Sequence, residues 1–218
     1  MAKGLFVVLE GIDGAGTTTQ SRLLVEWLER RGAQAVRTAE PTHGPIGTLI
    51  RDILQGRRAY TRAGQSVPVD EVTMALLFAA DRSDHLQATI LPALDTGHVA
   101  VSDRHYLSSV AYQSLGVEAD WVQQLNSRFP RPDLTILLDV EPERSLRRKL
   151  AGNQQAERYE KVATLERVRE NYLQAVAHAR AAGERVEVLD GAPSIEAVHE
   201  RICELVAPLL VSREGAHP

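Results

Sequence analysis

Gly11-Ile12-Asp13-Gly14-Ala15-Gly16-Thr17-Thr18 is the stretch that decides how this chain folds. An apolar run, Leu5 to Leu9, precedes it, and a helix-like run, Thr19 to Arg31, follows it. Strand, glycine loop and helix in that order bring successive backbone N–H groups onto phosphate oxygens, aided by the positive end of the helix. The spacing matches G-x-x-x-x-G-K-[ST] at every position but one: Thr17 stands where a lysine belongs. Gly11, Gly14 and Gly16 permit the backbone angles and the close approach. Thr18 takes the Ser/Thr position whose hydroxyl reaches Mg²⁺. Thr17 supplies no charge to the phosphates, so a positive group must come from elsewhere or the loop binds without catalysing.

Outward from the loop, short apolar runs alternate with helical patterns. Strands are predicted at Leu5–Leu9, Ala35–Thr38, Val99–Ser102, Leu134–Leu138 and Val186–Leu189. The run Leu134-Thr-Ile-Leu-Leu138 is nearly all apolar, as a strand covered on both faces should be. Between Val162 and Ala182, Val162, Leu165, Val168, Tyr172 and Val176 recur at helical spacing. Pro142 suits the first turn of a helix, and Ser194 suits the cap of a last helix over Ile195–Leu210. With the glycine loop, the alternation predicts an α/β protein of the P-loop NTPase type, with a five-stranded parallel sheet and helices on both faces; a short lid is one reading of its polar breaks. One domain over residues 1–211 is expected, with the lid at about 148–160 and a frayed tail at 212–218. The polar stretch Gly56–Pro68 reads as a loop. Ala151–Gln155 reads as a lid or a plain surface connection.

Bulk properties exclude several classes. A chain of 218 residues that is 44% hydrophobic and 25% charged is ordinary for a globular protein. A net charge of −4 argues against a general nucleic-acid or anionic-membrane surface. No apolar run approaches the roughly 18 residues of a membrane helix, and the N-terminus lacks a signal-peptide core. One cysteine, Cys203, allows no internal disulfide and fits a reducing cytoplasm. Arg144, Arg147 and Arg148 share one helix face at i, i+3 and i+4, with Lys149 and Arg158 beyond. Two readings stand: a lid that brings charge to a bound polyphosphate, or a solvated face partly neutralised by Glu141 and Glu143.

Three further motifs lie at strand ends or helix starts. They are Leu76-Leu-Phe-Ala-Ala-Asp-Arg82, Ser102-Asp-Arg104 followed by Ser108-Ser-Val-Ala-Tyr-Gln113, and Glu40-Pro41 with Arg51 beyond. With Glu10-Gly-Ile-Asp-Gly-Ala-Gly16 and Glu157-Arg-Tyr-Glu160, the chain resembles the thymidylate kinases from about Phe6 to Leu205. The resemblance implies phosphoryl transfer from ATP to dTMP with Mg²⁺, in a cytoplasmic homodimer. It implies that Gly11, Ile12, Asp13, Gly14, Ala15, Gly16, Thr17 and Thr18 hold ATP, and that Thr18 and Asp103 serve the metal. Phe78 is similar to the residue that stacks on the base, and Arg82 to the one that hydrogen-bonds it. Arg51 and Arg104 are similar to the acceptor-phosphate clamps. Ser109, Tyr112 and Gln113 match positions lining the nucleoside pocket, Tyr112 by crowding a 2′-hydroxyl. Asp13, Arg104, Arg148 and Arg158 are the catalytic candidates, the last two on the lid. Departures are Thr17, Ala39, Thr42 and His43. The alternatives are a kinase for another pyrimidine nucleotide, such as dUMP, and a non-catalytic nucleotide-binding regulatory protein.

Overall fold

The computed structural model describes residues 4–62, 65–149 and 155–214, with the side chains of residues 60, 62, 148–149, 155–160 and 212–214 outside that description. Five strands form one sheet: β1 (Leu5–Gly11), β2 (Ala35–Ala39), β5 (Val99–Asp103), β6 (Leu134–Asp139) and β7 (Val186–Asp190). Every pairing is parallel, in the order β2-β5-β1-β6-β7. All five were legible as apolar runs. The central strand β1 is buried along its whole length, which explains why it is a continuous apolar run and does not alternate with polar residues.

Helices cover both faces. α1 (Thr17–Arg30) packs against α9 (Ile195–Glu214), and α5 (Tyr106–Gln113) packs against α8 (Gln155–Ala181). Alternation along β1 divides its side chains between two cores. Leu5, Val7 and Leu9 join Leu24 and Leu28 of α1, whereas Phe6 and Val8 meet Leu86, Ile90 and Leu94. These last residues follow α3 (Glu71–His85), which continues through a π-helical turn at Leu86–Ile90 into α4 (Leu91–Asp95). Pro142 opens α7 (Pro142–Lys149), and the Ser194 hydroxyl accepts from the Ala197 amide at 3.2 Å to cap α9. α2 (Pro45–Leu54) and α6 (Ala119–Asn126) complete the helices among the described residues.

The Gly56–Pro68 stretch is not a plain loop. It carries an antiparallel hairpin, β3 (Tyr60–Arg62) with β4 (Gln65–Val67), apart from the main sheet. Residues 150–154, where the lid centre was expected, lie outside the described residues, as do 215–218 of the expected tail.

Candidate active site

The glycine loop leaves β1 at the carboxyl end of the sheet, between β5 and β6. Parallel registry sets Leu9 beside Asp103 and Gly11 beside Leu138. Ligands of open α/β sheets sit at such strand ends. Gly14 and Gly16 have φ of 85° and 104°, angles that disfavour any side chain. A Cβ on Gly14 would also stand 2.7 Å from the Ser145 carbonyl and hydroxyl oxygens. The Ser145 hydroxyl donates to the Asp13 carbonyl, so α7 braces the loop from behind. α1 then begins with no side-chain cap and no acidic residue in its first turn. Its first amides and its positive end are left for an anion.

Two cavities meet at this point. One, of about 650 Å³, is lined by the loop from Asp13 to Thr18, by Arg104, and by Gly191, Pro193 and Ile195 after β7. The other, of about 600 Å³, takes in Phe78, Arg82, Ser109, Tyr112 and Gln113. Asp13 and Arg104 line both. Among the described residues, Arg104 is the single arginine or lysine lining the loop cavity.

The Arg104 guanidinium lies between facing oxygens. Its Nη2 donates to Asp13 Oδ1 at 2.8 Å, and its Nη1 donates to Ser108 Oγ at 3.2 Å and to Tyr172 Oη at 3.1 Å. It sits 5.2 Å from the Tyr112 ring centroid. Burial works against its charge, but Tyr112, Tyr172, Asp13 and Glu10 outweigh that and hold its pKa well above the ordinary arginine value. The Tyr112 hydroxyl accepts from the Asp13 amide at 2.9 Å and lies 3.2 Å from Asp13 Oδ1, which fixes the loop against α5.

Thr18 and Asp103, predicted to serve one metal, do come together: the Thr18 hydroxyl donates to Asp103 Oδ2 at 2.5 Å. Asp103 Oδ1 is buried without a partner. An oxygen-only pair with an unused lone pair suits Mg²⁺, which keeps most of its water and takes few protein ligands. Among the described residues no group of three or more His, Cys, Asp and Glu residues is arranged to hold a metal ion.

In the second cavity Phe78 is half-buried and faces the space, so it is not the core phenylalanine its apolar neighbours would suggest. Arg82 is buried, and it pairs with neither Asp81 nor Asp84. Its Nη2 donates to Glu40 Oε2 at 2.7 Å, to Ser109 Oγ at 3.0 Å and to the His105 carbonyl at 3.1 Å, while Nη1 donates to Asn126 Oδ1. Its Nε has no partner, and neither has Gln113 Oε1. His85 and His105 both meet Glu40 Oε1 at 3.1 Å. Burial alone would raise the Glu40 carboxyl, but Arg82 and the two histidines hold it well below the usual carboxylate range. Glu40 stood in a quoted motif with no role given to it, and Asn126 was missed by sequence reasoning; both hold Arg82 in place.

Other expected residues are placed differently. Arg51 lines neither cavity; its Nη1 donates to the Thr42 carbonyl at 2.8 Å and its Nη2 to the Pro41 carbonyl. Thr42, one of the departures, is tied to Asp81 through its amide at 2.8 Å and its hydroxyl at 2.6 Å. Arg144 donates to the Ala192 carbonyl and Arg147 to the Glu143 carbonyl at 3.3 Å, and neither lines the loop cavity or the Phe78 cavity. Arg148 and Arg158 lie on α7 and α8, with side chains outside the described residues.

A glycine loop after the central strand, an uncapped helix above a cavity, and a carboxylate at the next strand end define a P-loop α/β protein built to hold phosphates. The family model described as Thymidylate kinase matches residues 9–202, and the chain belongs to the thymidylate kinase family. It is 42% identical over 206 residues to a protein of Pyrococcus abyssi named "Probable thymidylate kinase", covering 94% of this chain and 96% of that one. Proteins of the same name from Pyrobaculum aerophilum and Methanosphaera stadtmanae are 40% and 36% identical, covering 92% and 91% of this chain and 95% of each of them.

Proposed function

We propose that this chain transfers the γ-phosphoryl group of ATP to dTMP, giving ADP and dTDP. Besides family membership, one observation carries the reading: the two cavities meet at Asp13 and Arg104, where a donor and an acceptor phosphate would face each other. Such transfer needs positioning and charge stabilisation and no covalent intermediate. Residues 11–18 would hold the donor phosphates, with Thr18 and Asp103 holding Mg²⁺, which when bound neutralises phosphate charge. Arg104 would contact the transferring group and the acceptor phosphate, and Asp13 would set that arginine's angle.

The acceptor would lie in the Phe78 cavity, its base stacked on that ring and read by the unpaired Arg82 Nε. Ser109 and Gln113 would line the nucleoside, and Tyr112 would crowd a 2′-hydroxyl. Arg51 would set the loop beside the acceptor phosphate. Arg148 and Arg158, on a lid at about 148–160 of a single domain spanning 1–211, would supply the positive charge that Thr17 lacks. We further propose a homodimer in the cytoplasm, supported by the exposed apolar side chains of Val72 and Leu76 on α3 and by the single free Cys203. No helix among the described residues is long and apolar enough to cross a membrane.

ADP production from ATP and Mg²⁺ with dTMP tests the reading. Turnover supports it; ATP binding without turnover in folded protein would leave a nucleotide binder.

A further inference from the structure

Glu10 is fully buried, and the proposed reaction gives it no task. It shares a face of β1 with Phe6 and Val8, where the neighbours are apolar. Burying a carboxylate there is costly unless donors surround it. Four do. Oε1 accepts from the His105 amide at 2.9 Å and the Ser108 amide at 3.2 Å. Oε2 accepts from the Ser108 hydroxyl at 2.5 Å and the Tyr172 hydroxyl at 3.1 Å.

The first pair are amides at the start of α5, a helix whose own N-cap residue, His105, makes no side-chain cap bond. Glu10 therefore caps α5 from the strand adjacent to β5. Just before that cap, Arg104 holds a φ of 78°, the one positive value outside glycine among the described residues. Such a conformation persists only when its surroundings enforce it. Here the Leu9 carbonyl accepts from the Arg104 amide at 2.8 Å, the Ser102 hydroxyl donates to the Arg104 carbonyl at 2.7 Å, and Glu10 holds the next amide.

The second pair reach the Arg104 side chain. Ser108 Oγ and Tyr172 Oη also lie 2.7 Å apart; with the Ser108 proton on Glu10 and the Tyr172 proton on Glu10 or Ser108, both oxygens present lone pairs to the guanidinium, and both accept from Nη1. Ionised Glu10 sets that direction. A neutral acid or an amide in its place would donate to one hydroxyl and turn that proton toward the cation. Asp13 accepts from Nη2 of the same guanidinium, and the Tyr112 ring centroid lies 5.2 Å from it.

We infer that Glu10 is a positioning residue for Arg104, fixing its backbone through the α5 amides and its guanidinium through the Ser108 and Tyr172 hydroxyls. The inference rests on Arg104 acting at the transferring phosphoryl group.

The test compares kcat and KM for wild type, Glu10→Gln, Tyr172→Phe, the double variant and Arg104→Ala at pH 8, with circular dichroism to establish folding. Expected are a kcat loss of about 10- to 100-fold in each of the first two, since small misplacements of a reacting contact cost about that much. The KM for ATP should move less than about threefold, and the double variant should be no worse than Glu10→Gln, because both act through one chain of bonds. A folded Glu10→Gln with wild-type kcat, or losses that multiply in the double variant, would overturn the inference. Should Glu10→Gln not fold, Tyr172→Phe decides alone, and wild-type kcat there overturns it. Arg104→Ala separates the two levels. If it keeps full kcat, the Arg104 reading fails and the inference with it. If it is crippled while Glu10→Gln and Tyr172→Phe are normal, only the inference fails.

Discussion

Thr17 is the residue at which this chain departs from its own motif. It is buried, and its Cγ2 lies 3.4 Å from where a Gly11 Cβ would stand, so the loop has closed around a small side chain. Restoring the cation is nevertheless compatible with the backbone, because a lysine at this position in other phosphate loops runs out toward the phosphates. Thr17→Lys is predicted to retain turnover, checked by steady-state ADP formation; complete loss would show that the loop needs the small residue. Asp103→Asn should keep the fold but raise the Mg²⁺ concentration for half-maximal rate, measured by metal titration of activity. Residue identities were legible where a motif carries them, as with Phe78, Tyr112 and Asp103-Arg104. Their partners were not. Arg82 pairs with Glu40, 42 positions away, and the nearby Asp81 looks the other way because adjacent helix positions do not face each other. Glu10 gave one signal, a carboxylate ending a strand buried on both faces, and only the fold shows what surrounds it.

The elements were legible to the extent that each is long enough to show a period. Five strands and the longer helices were, because continuous apolar runs and helical spacing are strong patterns. The hairpin was not: β3 and β4 have three residues each, too few to show alternation. It nonetheless matters to the site, since Ala59 beside it and Ser66 within it line the Phe78 cavity. α8 is anchored by Arg169, which pairs with Asp139 at 2.5 and 2.9 Å and with Glu141 at 2.8 Å. That bidentate clamp ties the helix carrying Arg158 to the end of β6. Arg158→Ala or Arg148→Ala should lower kcat far more than it weakens dTMP binding, read by comparing kcat with calorimetric Kd. Unchanged kcat in both would remove the lid as the source of the missing charge.

For the whole molecule, two buried carboxylates bend stability with pH in opposite senses. Glu40 is held below its unfolded value of 4.5, so its contribution is complete above that pH and is lost as pH falls below it. Glu10 is pushed by burial up to about 7 from 4.5, against the bonds from Ser108, His105 and Tyr172. It therefore makes the fold less stable as pH rises from about 4.5 to about 7. Urea midpoints across that range should decline less with rising pH in Glu10→Gln than in wild type, while Glu40→Gln should blunt the loss below pH 4.5. Removing Arg82 strands the Glu40 charge, and Arg82→Ala should cost about 3–5 kcal/mol of unfolding free energy, measured by urea denaturation.

We propose that the two cavities form one phosphoryl-transfer site despite Thr17. Steady-state ADP production with ATP and Mg²⁺, run separately against dTMP, dUMP, dCMP and dGMP, tests it most directly. The predicted result is turnover with dTMP well above that with the other three. Absence of turnover with every acceptor, in folded protein that still binds ATP, would contradict it.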